Sequence, residues 1–281
     1  MLAIALALGS SLAWGVADFL GGLKSRQLAL LTVVLGSQAA GLVLVTVIVV
    51  ARGEGPPGRD FVLPAVLSGV AGACALAAFY RALAVGAMSV VAPITATAAL
   101  VPVTVGVATG DRPSALQAVG VVVAIAGVVL ASREAGKAAG SGKGPAAGVG
   151  LALVAALGFG LFFVGIDAAS DDDLMWAIFV NRVASVTLVS LVVIALRKRV
   201  RGVAPADVRA LVVIGLLDIT ANMLFAAASN EGLVSIVAVL GSLYPVTTVF
   251  LARLVLGERI SRPQQVGVAG AFAGVVLITL G

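Results

Sequence analysis

Gly86-Ala87-Met88-Ser89-Val90-Val91 and Gly232-Leu233-Val234-Ser235-Ile236-Val237 open two segments that also close alike, on Ala126-Gly127-Val128-Val129-Leu130 and Ala273-Gly274-Val275-Val276-Leu277. The closing residues are the same in both. Between opening and close, Gly110-Asp111-Arg112 answers Gly257-Glu258-Arg259, and Val119-Gly120 answers Val266-Gly267. Each segment reads as two apolar helices joined by a short charged turn. Ala/Gly/Val-rich helices resemble one another by composition alone, but here the charged turns match as well. One module used twice explains the correspondence.

The rest of the chain has the composition of a protein dissolved in lipid. Apolar residues make up 61% of it and charged residues 11%, against about half and about a quarter in soluble domains. So few polar groups do not cover the outside of a protein this long, which makes the bilayer the solvent for much of its surface. Histidine is absent, which removes imidazole metal sites, Ser-His triads and His-based pH switching. Cys74 is the single cysteine, so no internal disulfide forms. No phosphate-binding loop, metal-ligand cluster or nucleophile elbow is found. No cofactor or metal is expected, and no nucleic acid is among the expected partners, which are lipid, a small molecule and protons. The apolar start, without a basic flank, reads as a spanning helix rather than a cleaved leader.

At about twenty apolar residues per span, ten crossings are predicted: 2–22, 30–51, 62–84, 88–109, 115–132, 148–169, 175–196, 208–230, 234–256 and 264–280. Residues 136–147 form a Gly- and Lys-bearing linker, read as flexible, between a first five-helix repeat (1–135) and a second (148–281). An odd number of crossings per repeat starts the second copy on the opposite membrane face. The predicted fold is therefore all-α and integral to the membrane, with two inverted five-helix repeats related by a pseudo-two-fold axis in the membrane plane. Substrates of secondary transporters bind between such repeats. Lys24, Arg26, Arg133 and the run Arg197-Lys198-Arg199-Val200-Arg201 lie in loops on one face, with few basic residues on the other. That bias places both termini outside.

Ionisable groups inside a span are expensive unless paired or wetted. Asp18 lies one turn beyond Trp14 in the first crossing. Arg81 follows Tyr80 in the third, Arg182 follows Asn181 in the seventh, and Asp218 precedes Asn222 by one turn in the eighth. Residues at i and i+4 share a helix face, so Trp14/Asp18 and Asp218/Asn222 mark faces turned from lipid. Similar depth suggests the neighbours Asp18–Arg81 and Asp218–Arg182. A structural reading makes these pairs fix helix packing. A functional reading has a carboxylate bind a proton or a cation and an arginine bind an anionic group. On it, Asp218→Asn abolishes coupled transport. By the repeat, Arg81 corresponds to Ala227 and Asp218 to Gly72, and charges that are not duplicated in the other copy favour function over shared folding need. Tyr244 is placed in the pocket or the helix interface. Pro93, Pro102 and Pro245 are read as hinges, with Pro102 and Pro245 freeing the carbonyls of Ala98 and Gly241. Gly106/Gly110 and Gly270/Gly274 offer small-xxx-small faces.

Leu12-Ala13-Trp14-Gly15-Val16-Ala17-Asp18-Phe19-Leu20-Gly21-Gly22, Tyr80-Arg81-Ala82-Leu83, Ser89-Val90-Val91-Ala92-Pro93-Ile94, Ser242-Leu243-Tyr244-Pro245 and Leu256-Gly257-Glu258-Arg259, in that order and with the doubled module, resemble the EamA-type branch of the drug/metabolite transporter superfamily. The resemblance covers nearly the whole chain. It implies ten helices, a central cavity between the halves, and movement of amino acids, other metabolites or drugs. It also implies cytoplasmic termini, opposite to the loop-charge bias, and Asp111 stands where the family usually has Glu. The function expected is a secondary transporter, an exporter of small metabolites by alternating access with proton coupling. It would be a multi-pass protein of the cell (plasma or inner) membrane, monomeric or homodimeric. The alternatives are an uncoupled facilitated carrier and a non-transporting receptor or scaffold subunit.

Overall fold

The structure is a computed structural model that describes residues 1–25, 27–85, 94–95, 97–131, 148–197, 203–256 and 262–280. Among them every regular element is helical. The helices are α1 (Leu2–Ser25), α2 (Leu30–Arg52), α3 (Val62–Val85), α4 (Leu100–Thr109), α5 (Ala115–Ala131) and α6 (Val149–Ser170). They continue with α7 (Leu174–Ala195), α8 (Pro205–Asn230), α9 (Val234–Gly241), α10 (Tyr244–Leu256) and α11 (Arg262–Leu280). Six described helices are long and apolar enough to cross a membrane: α1, α2, α3, α6, α7 and α8. They are the first three of each copy, so the length pattern itself repeats. The expected tight hairpin at 85–87, the linker 136–147, the charged turn at 257–259 and Pro93 lie wholly or partly outside the described residues.

Helix ends follow local chemistry. Gly53 closes α2 at φ 66°, a left-handed conformation that glycine adopts without a Cβ penalty. Ser114 and Gln117 form a reciprocal cap on α5, with each side chain accepting from the other's backbone N–H at 3.1 and 2.9 Å. The eighth crossing starts three residues earlier than predicted, because Pro205 sits in the first turn of α8, where its missing N–H costs nothing. Lys24 in the last turn of α1 reaches Asp207 in the first turn of α8 at 2.7 Å, each complementing its own helix dipole.

Asp173 caps α7. Its Oδ1 accepts from the backbone N–H of Met175 and Trp176 at 2.9 and 3.1 Å. The Arg52 guanidinium grips both carboxylate oxygens at 2.8 and 2.7 Å and also meets Glu54. The bonds from Arg52, and then those from the backbone, hold the Asp173 carboxyl below its usual range against opposing desolvation. A depressed folded-state pKa stabilises above the unfolded value near ~4 and loses its contribution as pH falls through the folded value. Asp173→Ala should therefore cost about 1 kcal/mol at neutral pH. The difference from wild type should shrink below about pH 4. Thermal unfolding of both proteins across pH checks this, and a pH-independent difference would count against it.

The two copies do not form separate bundles. The extensive packing pairs run between copies: α1 on α8, α3 on α6, α2 on α8, α3 on α7, α2 on α7 and α5 on α11. The pairings exchange under the repeat, since α1 on α8 has its counterpart in α3 on α6. Close approach depends on glycines. A Cβ on Gly69 of α3 would strike the carbonyl of Asn181 in α7, and one on its counterpart Gly215 in α8 would strike the carbonyl of Ser37 in α2. Gly127 and Gly274 likewise bring α5 and α11 into backbone contact, with Gly270 lying over Gly127. The Gly270/Gly274 face is thus a packing seam. Gly106/Gly110 is not: Gly110 ends α4 at φ 127° with open space around it, and Gly106 faces the Asp111 side chain and Val234.

Pro102 and Pro245 do not lie in mid-helix, as the freed-carbonyl reading supposes. Pro102 and Pro245 lie in the first turns of α4 and α10, where a missing N–H would have had no intrahelical partner anyway. The ninth crossing is therefore broken in two rather than kinked. α9 stops at Gly241, the Ser242 and Leu243 N–H groups close its last turn on Ala238 and Leu240, and α10 begins at Tyr244. The described part of the fourth crossing is also interrupted, with a 3₁₀ turn over Thr97–Ala99 leading into α4.

A candidate transport site in a central cavity

A cavity opens where α1, α2, α3, α6, α7 and α8 converge. Asp218 lies about 20 Å along α8 from Pro205, at 1.5 Å per residue, near the middle of a 26-residue helix. The wall divides by chemistry. Trp14, Phe159, Phe162, Phe163 and Tyr244 form the aromatic part. Trp14 packs on Phe163 and Phe225 with ring centroids 5.6 Å away in each case, and Phe163 stacks on Phe225 at 4.7 Å. Gly15 lets α1 approach the start of α10, because a Cβ there would meet Thr247 and the Tyr244 carbonyl. That contact, with the bond from Thr248 Oγ1 to the Gly15 carbonyl at 3.2 Å, sets Tyr244 beside Trp14's helix.

The polar part centres on Arg182. Its Nη2 donates to Asp218 Oδ2 at 2.8 Å and its Nη1 donates to Gln38 Oε1. Gln38 Oε1 also accepts from Ser185 Oγ at 2.9 Å. Nε lies toward Gly41 on α2, 3.6 Å from where a Cβ on that glycine would sit. Both Nη groups are thus held by the protein, Nε is buried with no hydrogen-bond partner among the described residues, and the side chain is 3% exposed, whereas Asp218 is 24% exposed. Burying the pair is tolerable because its charge-assisted bonds are made within the protein. Asn181 Nδ2 donates to Ser68 Oγ at 2.7 Å, and Trp14 Nε1 donates to Asn222 Oδ1 at 3.2 Å.

Asp18 lines the same cavity, near Asp218. Among the described residues no hydrogen bond or ion pair reaches it. The expected Asp18–Arg81 neighbours do not form: Arg81 is exposed on α3. Tyr80 turns inward instead, and a step of about 100° per residue carries the next side chain to the outer face. Arg81 is close enough to the end of α3 to extend toward the interface. Tyr80 is buried behind Asp18 rather than in the cavity wall, and a Cβ on Gly21 would strike its hydroxyl. Trp14, Asp18, Arg182, Asp218, Asn222 and Tyr244 do come together. Gln38, Ser185 and the Phe162/Phe163 pair were not anticipated. Gln38 is an uncharged amide that pattern reading ranks below ions, and Ser185 stands one turn from Arg182. Phenylalanines in an apolar run carry no signal that separates cavity from lipid.

The profile of the EamA-like transporter family matches residues 1–133 and again 146–280. The chain belongs to that family. EamA-like proteins are membrane transporters, and the doubled match accounts for the sequence repeat. No curated protein matches the chain. A solved structure described as "Crystal structure of protein" superposes with a TM-score of 0.78 over 99% of this chain and 96% of that one, at 18% identity. At that identity the likeness speaks to the EamA fold alone.

Proposed function

We propose that the protein is a secondary transporter that exports small metabolites by alternating access, with Asp18 as the group that exchanges a proton for substrate. The observation that carries this reading is a carboxylate with no partner among the described residues, set in a cavity deep in the helix bundle beside an aspartate already bound by arginine. Asp218 already accepts from Arg182 and serves as its structural counter-ion. Asp18 remains available to change partners. The cavity and its polar wall favour a carrier over a scaffold, which would need its ion pairs but no chamber.

In this reading the chain crosses the membrane ten times, with α9 and α10 sharing one crossing. The repeats (1–135 and 148–281, joined by 136–147) are inverted, and the plasma or inner membrane holds them. Because the copies interleave, the moving units are not the repeats themselves. The broken crossings beside Pro102 and Pro245 supply the places where backbone angles change. Pro93 is assigned no part. Tyr80 and Arg81 belong to the surroundings of the path rather than to its wall.

Flux of a panel of amino acids, amines and small drugs into proteoliposomes tests the assignment. An imposed pH gradient should drive accumulation of at least one compound. Asp18→Asn should reduce that accumulation at least about tenfold, since one protonation-linked step is removed. Uptake indifferent to the gradient would favour the uncoupled carrier. A panel that does not move at all would defeat the transporter assignment.

A further inference from the structure

We propose that the central cavity selects a monovalent organic cation, an ammonium group carried on an aromatic or branched apolar body; this rests on the transporter reading above. Two independent features point the same way. The first is the sign of the charge the cavity presents. Arg182 is the one basic residue among the described residues of the wall, its Nη groups donate to Asp218 and Gln38, and its side chain is 3% exposed. Asp218 remains 24% exposed and Asp18 has no partner among the described residues. A ligand entering this space meets carboxylate oxygens before a guanidinium that is withdrawn from the cavity surface. A carboxylate-bearing ligand would face two aspartates to reach that one cation.

The second feature is the aromatic wall. Trp14, Phe159, Phe162, Phe163 and Tyr244 share the cavity with Asp18. An ammonium near indole and phenyl faces is attracted by the ring quadrupoles, and the same rings cover an apolar body. Trp14 and Asp18 stand one turn from each other on α1, so one helix face offers both a ring and a counter-ion to a single cation. Protons and such cations carry the same charge, so each satisfies the Asp18 carboxylate in turn.

The test uses Trp14 as its own reporter. Trp176, the second tryptophan, lies outside the cavity and donates to the Glu54 carbonyl at 3.2 Å. In Trp176→Phe protein in nanodiscs at neutral pH, Trp14 emission is followed on titration with four size-matched probes: 2-phenylethylamine, 2-phenylethanol, 3-phenylpropionate and phenylalanine. The amine should give a saturable change, with the alcohol and the propionate binding at least tenfold more weakly. Asp18→Asn should weaken amine binding at least tenfold, while Asp18→Glu should keep it within threefold, with size-exclusion profiles confirming that each variant is folded. Equal or tighter binding of the propionate or of phenylalanine would overturn the proposal. So would amine binding that ignores Asp18→Asn, or an emission that no probe changes. Proteoliposome uptake of radiolabelled phenylalanine, run in parallel, separates the two levels. Uptake of the zwitterion without amine binding would defeat the cation assignment and leave the carrier standing.

Discussion

Arg182→Ala should destabilise the protein by about 3–5 kcal/mol, the cost of leaving a buried charge without its partner. Asp218 would keep a carboxylate in a low-dielectric site with its one close cation gone. Gln38 would lose its donor and retain only Ser185. Arg182→Lys should rescue little. A single ammonium on a flexible stem does not reproduce a planar fork that spans Asp218 on α8 and Gln38 on α2 at once. The double variant Arg182→Met/Asp218→Leu should recover most of the lost stability, because replacing both members with apolar groups removes the desolvation penalty along with the attraction. Its transport should not recover, since the cavity would lose its polar wall. Thermal unfolding in nanodiscs together with proteoliposome flux measures both. An Arg182→Ala protein as stable as wild type would show that the pair does not hold the helices.

Gly127→Leu or Gly274→Leu should also be strongly damaging. A Cβ on Gly127 would meet the backbone of Ala271 and Gly270, and one on Gly274 would meet the backbone and Cβ of Ala124. Backbone atoms do not rotate aside, so α5 and α11 must separate. Overpacking of this kind costs typically 1–3 kcal/mol and occasionally more, and here it also opens the seam between the two copies. Gly22→Ala and Gly150→Ala are the controls. Both glycines are helical and nothing lies within 4 Å of an added Cβ, so each should be neutral or stabilising by about 0.5–1 kcal/mol. Equal loss of stability in all four variants would mean that the close contacts are not the cause.

Much of the fold is legible along the chain because lipid imposes a simple rule. Every backbone group in the bilayer core must bond within its own segment, so apolar runs of sufficient length become helices. Residues such as Gly53, Asp173, Ser114 and Pro205 then mark their ends by local chemistry. Ions in apolar runs stand out for the same reason, which is how Asp18, Arg182 and Asp218 drew notice. Their partners were less legible. Arg81 lies at a depth similar to that of Asp18, yet one step of helix rotation sends it outward and Tyr80 inward. Gln38, the residue that fixes the second arm of Arg182, carries no charge to advertise it. Proline in an apolar run reads as a kink, and only the break after Gly241 shows that Pro245 begins a new helix.

The sequence by itself determined that the chain is helical, lipid-embedded, doubled and without histidine chemistry, because composition, length and periodicity act on each segment alone. Which helix lies against which was left to tertiary structure. Small residues let backbones touch, and glycines 69, 127, 215 and 274 chose partners in the other copy. That interleaving brings a carboxylate on α1, an arginine on α7 and an aspartate on α8 around one cavity, a meeting set by rotation about each helix axis that no run of residues specifies.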